Sequence, residues 1–256
     1  MKFFDITSLN DEQKFALFYG IMLGDGCLSL YKTKDERERF SICITGHAVD
    51  DLEFYNRIIV PLLKSFGRKL VSIKTRSDCN AIEVNFPDRE LFNRIRSFGF
   101  PIGKKGPNIS IPRCFFERNL STLVVAGFMA TDGSLVLTKN PNKYYPRLEG
   151  NGISEKLIKQ IQEYLSSIGM SGAFYLAKRK NVNSFNNNQQ QYRFQFNGKD
   201  NLLKFKEFVG FVNPKHQLKL NNFLVYNEKY NGLIKGIPSQ EQKYVRPNKI
   251  DGYTQI

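Results

Sequence analysis

The chain has 256 residues and a net charge of +14, from 38 Lys and Arg against 24 Asp and Glu. That length holds one large domain or two ordinary ones, and a chain so basic usually meets a polyanion, which favours nucleic acid as a partner over a merely lysine-rich proteome. Cys27, Cys43, Cys79 and Cys114 lie far apart, which argues against a zinc or disulfide frame and for reduced core thiols, and the longest apolar run, Phe15 to Leu23, is too short to span a bilayer. Asp5 and Asp11 interrupt the start, so no signal peptide is expected, and the expected location is intracellular, cytoplasmic or organellar, and not secreted.

In chain order, Asn10 and Gln13 fit a capping box that opens a helix from about Asp11 to Gly24. Apolar residues on nearly every side mark that helix as buried. Gly20 and Gly24, one turn apart, suit the close approach of a second helix. Strand-like runs follow at Cys27 to Tyr31 and Phe40 to Thr45, with the charged stretch Lys32 to Arg39 between them. An amphipathic helix from about Asp50 to Phe66 stops at Gly67. Two more strand-like runs, Lys69 to Thr75 and Ala81 to Phe86, precede a helix from Asp88 to Phe98 that stops at Gly99. Pro101 to Arg118 contains Pro101, Gly103, Gly106, Pro107 and Pro112, which is linker chemistry.

The same order then returns. Ser134 to Thr138 and Tyr145 to Glu149 read as strands, Ser154 to Ile168 as a helix stopped by Gly169, Ala173 to Arg179 and Tyr192 to Phe196 as strands, and Lys199 to Val209 as a helix stopped by Gly210. A further helix is expected from about Pro214 to Tyr230. Asn181 to Gln191 reads as an Asn/Gln-rich loop, and nothing periodic follows Gly232. Each half is therefore αββαββα. The expected organisation is a first half at 1–100, a linker at 101–118, a second half at 119–230 and a tail at 231–256.

One segment carries the chemistry. Phe18-Tyr19-Gly20-Ile21-Met22-Leu23-Gly24-Asp25-Gly26 returns as Val125-Ala126-Gly127-Phe128-Met129-Ala130-Thr131-Asp132-Gly133, at an offset of 107 residues (132 − 25). A lone Asp-Gly is a turn signal. Here both copies follow an apolar helix, whose C-terminal dipole opposes a carboxylate by about 0.3–1 kcal/mol. Packing the two helices together also sets two like charges side by side. A divalent cation removes both objections, and oxygen ligands beside phosphate favour Mg²⁺. Two carboxylates, a basic surface and a metal point to phosphodiester hydrolysis.

The paired runs resemble the two signature motifs of the LAGLIDADG homing endonucleases in their single-chain form, over roughly residues 10 to 230. The resemblance implies an α+β fold of two pseudo-symmetric halves, with the motif helices packed at a central interface and antiparallel sheets forming a saddle on double-stranded DNA. It implies Asp25 and Asp132 as catalytic metal ligands, joined by the backbone carbonyls of Gly24 and Thr131, with Mg²⁺ as cofactor and Mn²⁺ able to substitute. It also implies cleavage of both strands at a long site, leaving short 3′ overhangs. The family places a basic or amide side chain near the attacking water; the 107-residue offset sets Ile153 and Ser154 opposite Gly46 and His47, and His47 is the accessory candidate.

DNA contacts are expected from Lys32, Lys34, Arg37, Arg39, Lys74 and Arg76 in the first half, and from Lys139, Arg147, Lys178, Arg179, Lys180, Arg193 and Gln195 in the second. With both motifs in one chain, the active unit is expected to be a monomer. The readings left open are an intron maturase on the same fold, with intron RNA as partner, and a DNA-binding regulator that has lost catalysis. An intein is not expected, since Met1 offers no nucleophile and Thr254-Gln255-Ile256 no terminal His-Asn.

Overall fold

The computed structural model describes residues 4–76, 79–140, 143–177 and 190–229. The expected tail, most of the Asn/Gln-rich loop, and Lys178, Arg179 and Lys180 lie outside them. Helix α1 spans Asp11–Asp25. Its capping box is complete: the Asn10 side chain accepts from Gln13 N–H, and the Gln13 side chain accepts from Asn10 N–H. Strands β1 (Gly26–Lys32) and β2 (Glu38–His47) follow. Helix α2 occupies 52–65, and its middle, Tyr55–Ile59, is π-helical. Pro61 explains that bulge. It has no N–H, and its ring collides with the carbonyl four residues back, so the turn before it widens. Strands β3 (Lys74–Arg76) and β4 (Ala81–Phe86) and helix α3 (Arg89–Ser97) complete the first half.

The linker is not all irregular, because it carries a short helix, α4 (Arg113–Glu117). The second half runs α5 (Ser121–Thr131), β5 (Gly133–Asn140), β6 (Lys143–Gly152), α6 (Glu155–Ser167), β7 (Gly172–Ala177), β8 (Gln191–Asn197) and α7 (Lys199–Phe208), and α8 (Pro214–Lys229) follows it. Each half holds one four-stranded antiparallel sheet, ordered β1-β2-β4-β3 and β5-β6-β8-β7. The expected αββαββα order is present twice.

Alternation along the strands sets two faces. Leu28, Ile42, Ile44, Ile82 and Val84 line the buried face of the first sheet, and Leu135, Leu148, Phe194 and Phe196 that of the second. The opposite face of each sheet is open to water. Between the sheets lie α1 and α5, buried from Phe15 to Gly24 and from Val124 to Ala130. Their backbones nearly touch. A Cβ on Gly20 would overlap the Val124 carbonyl group, with its carbon at 2.8 Å, and a Cβ on Gly127 would come within 2.8 Å of Ile21 N.

Two expectations need correction. The third strand is shorter than Lys69 to Thr75, because only Lys74–Arg76 finds partners on β4, at Glu83, Ile82 and Ala81. The offset between halves also slips by one. Gly26 pairs with Ile44, whereas Gly133 pairs with Gly150, so β1 maps onto β5 at 107 residues (133 − 26) and β2 onto β6 at 106 (150 − 44). The second hairpin is one residue shorter, and His47 therefore corresponds to Ile153, not Ser154. Ser154 instead caps α6: it is buried, accepts from Leu157 N–H and donates to Ile109 O at 2.5 Å.

Candidate active site

Asp25 is the last residue of α1, and Asp132 is the residue just beyond α5. The helices cross so closely there that a Cβ on Gly24 would lie 2.8 Å from Thr131 Cβ and 3.2 Å from Asp132 N. The two carboxylates thus share one site. Burial, then the charges of Asp132 and Asp51, push the Asp25 carboxyl up to about 7, against the pull of Lys105 and Lys215. Burial also raises the Asp132 carboxyl, and Lys105 opposes it. Water reaches Asp132 while Asp25 is half-buried, so screening weakens the effect at Asp132 and the electrostatic weight falls on Asp25.

Lys105 was not singled out by the sequence, and it occupies the centre of the site. Its Nζ donates to Leu23 O at 3.1 Å, to Met22 O at 3.4 Å and to Gly24 O. A helix C-terminus leaves carbonyls without partners and carries partial negative charge, so an ammonium caps it well. Burial lowers the Lys105 ammonium's pKa, and the charges of Asp132 and Asp25 hold it up. Gly103 anchors the segment. It sits at φ +81° and its N–H donates to Leu28 O at 2.7 Å, beside a parallel bridge from Leu28 to Ile102. Nothing periodic marks such a lysine; its one legible sign is the pair Lys104-Lys105 between Gly103 and Gly106, in a segment that folds back.

The second motif helix ends differently. Asn213 Nδ2 donates to Ala130 O at 2.9 Å and to Asp51 Oδ1 at 3.1 Å. Lys215 Nζ donates to the same Asp51 oxygen at 2.6 Å, and His47 N–H donates to Asp51 Oδ2 at 2.9 Å. Asp51 is buried. Burial alone would raise its carboxyl, but the Lys215 charge and the hydrogen bonds donated by Lys215, His47 and Asn213 together hold it below the usual range.

The residues present fit a divalent cation. Among the described residues, no group of three or more His, Cys, Asp and Glu is gathered as a metal cluster. The donors are two carboxylates and the carbonyl oxygens at the helix ends, which is the sparse oxygen set Mg²⁺ uses beside phosphate. The Lys105 ammonium already sits as a cation on Gly24 O. The buried Tyr55 hydroxyl has no hydrogen-bond partner, and burial and then Asp25 raise its pKa, so an orphaned donor faces the same centre.

The other candidates are spread over the sheets. Arg39, Lys74 and Arg76 share the open face of the first sheet with Cys43 and Thr45, as the register shows. Lys32 falls on the parity of Leu28 at the strand's end, and Lys34 and Arg37 lie in the hairpin turn, where Arg37 pairs with Asp35 at 3.1 Å. Arg147, Arg193 and Gln195 share the open face of the second sheet; Arg147 meets Glu149 at 3.0 Å, and Gln195 accepts from Tyr175 OH at 2.8 Å and donates to Asn197 Oδ1 at 2.7 Å. Lys139 lies in β5. His47 is not brought to the carboxylates by its ring, which bonds Asn80 through Nε2 at 2.9 Å and accepts from Asp50 N–H at Nδ1. The cysteines are half-buried or, at Cys79, exposed, not core thiols. Buried His216 packs edge-on to Phe211 at 6.0 Å, and burial pushes its imidazole down to about 3, so it is a neutral packing group. No described helix is long and apolar enough to cross a membrane.

No family model matches the chain. A curated relative, the probable translation initiation factor IF-2 of Methanocaldococcus jannaschii, is 26% identical over 227 residues, covering 87% of this chain. The chain spans only 17% of that relative's length, so the relative's name describes a much longer protein. Among solved structures, the homing endonuclease I-DmoI in complex with DNA and Ca superposes with a TM-score of 0.57 at 15% identity, covering 84% of this chain and 100% of that one. The LAGLIDADG meganuclease I-AabMI bound to uncleaved DNA gives 0.53 at 15% identity, covering 86% of this chain and 91% of that one. The I-LtrWI LAGLIDADG homing endonuclease bound to target DNA gives 0.53 at 10% identity over the same shares, 86% and 91%. With two αββαββα halves, a sheet in each and the paired motif helices between them, the chain has the LAGLIDADG homing endonuclease fold in its single-chain, two-motif form.

Proposed function

We propose that the chain is a site-specific DNA endonuclease that hydrolyses one phosphodiester bond in each strand of a long duplex site, with Mg²⁺ or Mn²⁺, and leaves short 3′ overhangs. One observation carries this reading: Asp25 and Asp132 end two buried helices whose backbones nearly touch, one from each half, with the Lys105 ammonium among the helix-end carbonyls. Support also comes from solved neighbours of this fold that hold DNA together with Ca, Mn or Mg. In this reading the carboxylates of Asp25 and Asp132 and the carbonyls of Gly24 and Thr131 hold the metal. When bound, it would supply positive charge at the scissile phosphate and make water ionise more readily.

The protein's own groups do the rest. The helix pair fixes the carboxylates between the two halves, so that one site serves two strands. Lys105 keeps a proton and a positive charge beside them. Asp25, pushed up to about 7, holds a proton near neutral pH when no metal is present, so metal affinity should rise with pH through that range. Arg39, Lys74, Arg76, Arg147, Arg193 and Gln195, with Lys139, Lys178, Arg179 and Lys180 beside them in the chain, would meet phosphates and base edges in the major groove. Lys32, Lys34 and Arg37 would reach phosphates from the hairpin end. The proposed boundaries are 1–100 and 119–230 for the halves, 101–118 for the linker and 231–256 for a tail.

The test is a duplex spanning the uninterrupted site that flanks the protein's own coding sequence. Double-strand cleavage with Mg²⁺ or Mn²⁺, stopped by EDTA, is the expected result. Sedimentation of the complex should give one chain per duplex, since both motifs lie in one chain. Tight binding with no cleavage under either metal would replace this reading with the regulator, and preference for the transcribed intron RNA would replace it with the maturase.

A further inference from the structure

The two ends of the active centre are built from different chemistry. At the end of α1, the Lys105 ammonium caps the carbonyls of Met22, Leu23 and Gly24. Ala130 is the counterpart of Leu23 at the 107-residue offset, and its carbonyl receives a neutral amide, Asn213 Nδ2, at 2.9 Å. The cation of the second half lies two residues farther on, at Lys215. It is near enough for Asp25 to feel its charge, but its ammonium sits 2.6 Å from Asp51. Asp51 has no counterpart acid: α2 starts at Leu52 and α6 at Glu155, so the residue before each is Asp51 in one half and Ser154 in the other.

We propose that Asp51 is a positioning residue that holds Lys215 back from the shared carboxylates, so that the two strands of a duplex are cut at unequal rates and the half served by Lys105 leads. This rests on the nuclease reading above. A charge-assisted hydrogen bond to a buried carboxylate is among the stronger ones a side chain makes. Asp51 cannot let go cheaply either, because His47 N–H holds its Oδ2 at 2.9 Å and Asn213 Nδ2 donates to its Oδ1 at 3.1 Å, the same oxygen that Lys215 holds. Lys215 must leave this pocket to help at a phosphate, whereas the Lys105 ammonium sits on the helix-end carbonyls and faces Asp25 and Asp132 already. The difference between the strands therefore comes from the protein and not from the bases.

The experiment follows each strand separately, with the two 5′ ends of the junction duplex carrying different fluorophores, at saturating Mn²⁺. The parent should pass through a nicked intermediate, one strand leading by roughly tenfold. Asp51→Asn should free Lys215 and bring the two rates within about twofold, mainly by speeding the slower strand. Lys215→Gln should slow the trailing strand by roughly a further hundredfold and leave the leading strand near the parent rate, and Lys215→Arg should restore part of the loss. A destabilised variant would slow both strands together, so the ratio of the two rates, not the total, reads the proposal. Equal strand rates in the parent, or an unchanged ratio in Asp51→Asn or in Lys215→Gln, would overturn it and leave the nuclease reading standing. No cleavage of either strand by the parent would remove the nuclease reading itself.

Discussion

Asp25→Asn and Asp132→Asn should each abolish double-strand cleavage, by three orders of magnitude or more on the scale of lost electrostatic and metal support, roughly 10³-fold. Asparagine keeps the shape and loses the negative charge. DNA affinity should hold or rise slightly, because a charge beside the phosphates has gone. The same substitution should change the response of the fold to pH. Asp25 is raised from its ordinary 3.8 to about 7, so between those values the unfolded chain has lost a proton that the folded chain keeps. The folded state then binds more protons, and stability falls as pH rises through that window. The loss is on the order of a few kcal/mol for a shift of this size. In metal-free buffer, melting temperature should therefore drop from pH 4 to pH 7 in the parent and stay flatter in Asp25→Asn. If Asp132→Asn cuts both strands at the parent rate, Asp132 is a helix-end turn residue and the two-carboxylate mechanism is wrong. If the melting curves of parent and Asp25→Asn run parallel in pH, the carboxylates are not crowded as the structure has them.

The repeated motif made much of this legible in the sequence. An apolar helix with small residues one turn apart can only be buried against something, and two such helices in one chain supply each other's partner. The strand pairs after each Asp-Gly followed from alternation, so the sheet faces carrying Arg39 and Arg193 could be expected before the register was known. What stayed hidden depends on chain paths that periodicity does not encode. Lys105 reaches the centre because Gly103 turns the linker back onto β1, and Asn213 and Lys215 reach it because α8 starts against the end of α5. Asp51 carries no signal of its own in the sequence, at the start of the helix expected from Asp50 to Phe66, yet it holds His47, Asn213 and Lys215 together. The mapping of His47 failed for a smaller reason. A constant offset assumes equal hairpins, and the second hairpin is one residue shorter, as the 107 and 106 offsets of its two strands record.

The second large effect belongs to the helix pair. Gly20→Ala places a methyl 2.8 Å from the Val124 carbonyl carbon and 2.9 Å from Val124 Cα, and Gly127→Ala places one 2.8 Å from Ile21 N. These neighbours are backbone, so no rotamer change relieves the overlap; the helices must move apart. In an exposed helix the same change would help by up to about 1 kcal/mol, because alanine is the better helix former. Here overpacking should win, at about 3 kcal/mol or more, which lowers the melting temperature by roughly 6–12 °C in a domain of this size. Gly106→Ala is the contrast, since nothing lies within 4 Å of the added carbon, and its melting temperature should stay within about 2 °C of the parent. Where Gly127→Ala still folds, the helix ends separate and Asp25 leaves Asp132. Cleavage should then fall far more than the fraction folded does, with DNA binding by the sheets less affected. A Gly127→Ala variant that melts and cuts like the parent would show that the helices do not need this approach, and the pairing of the two carboxylates would have to rest on something other than the small residues of the motif.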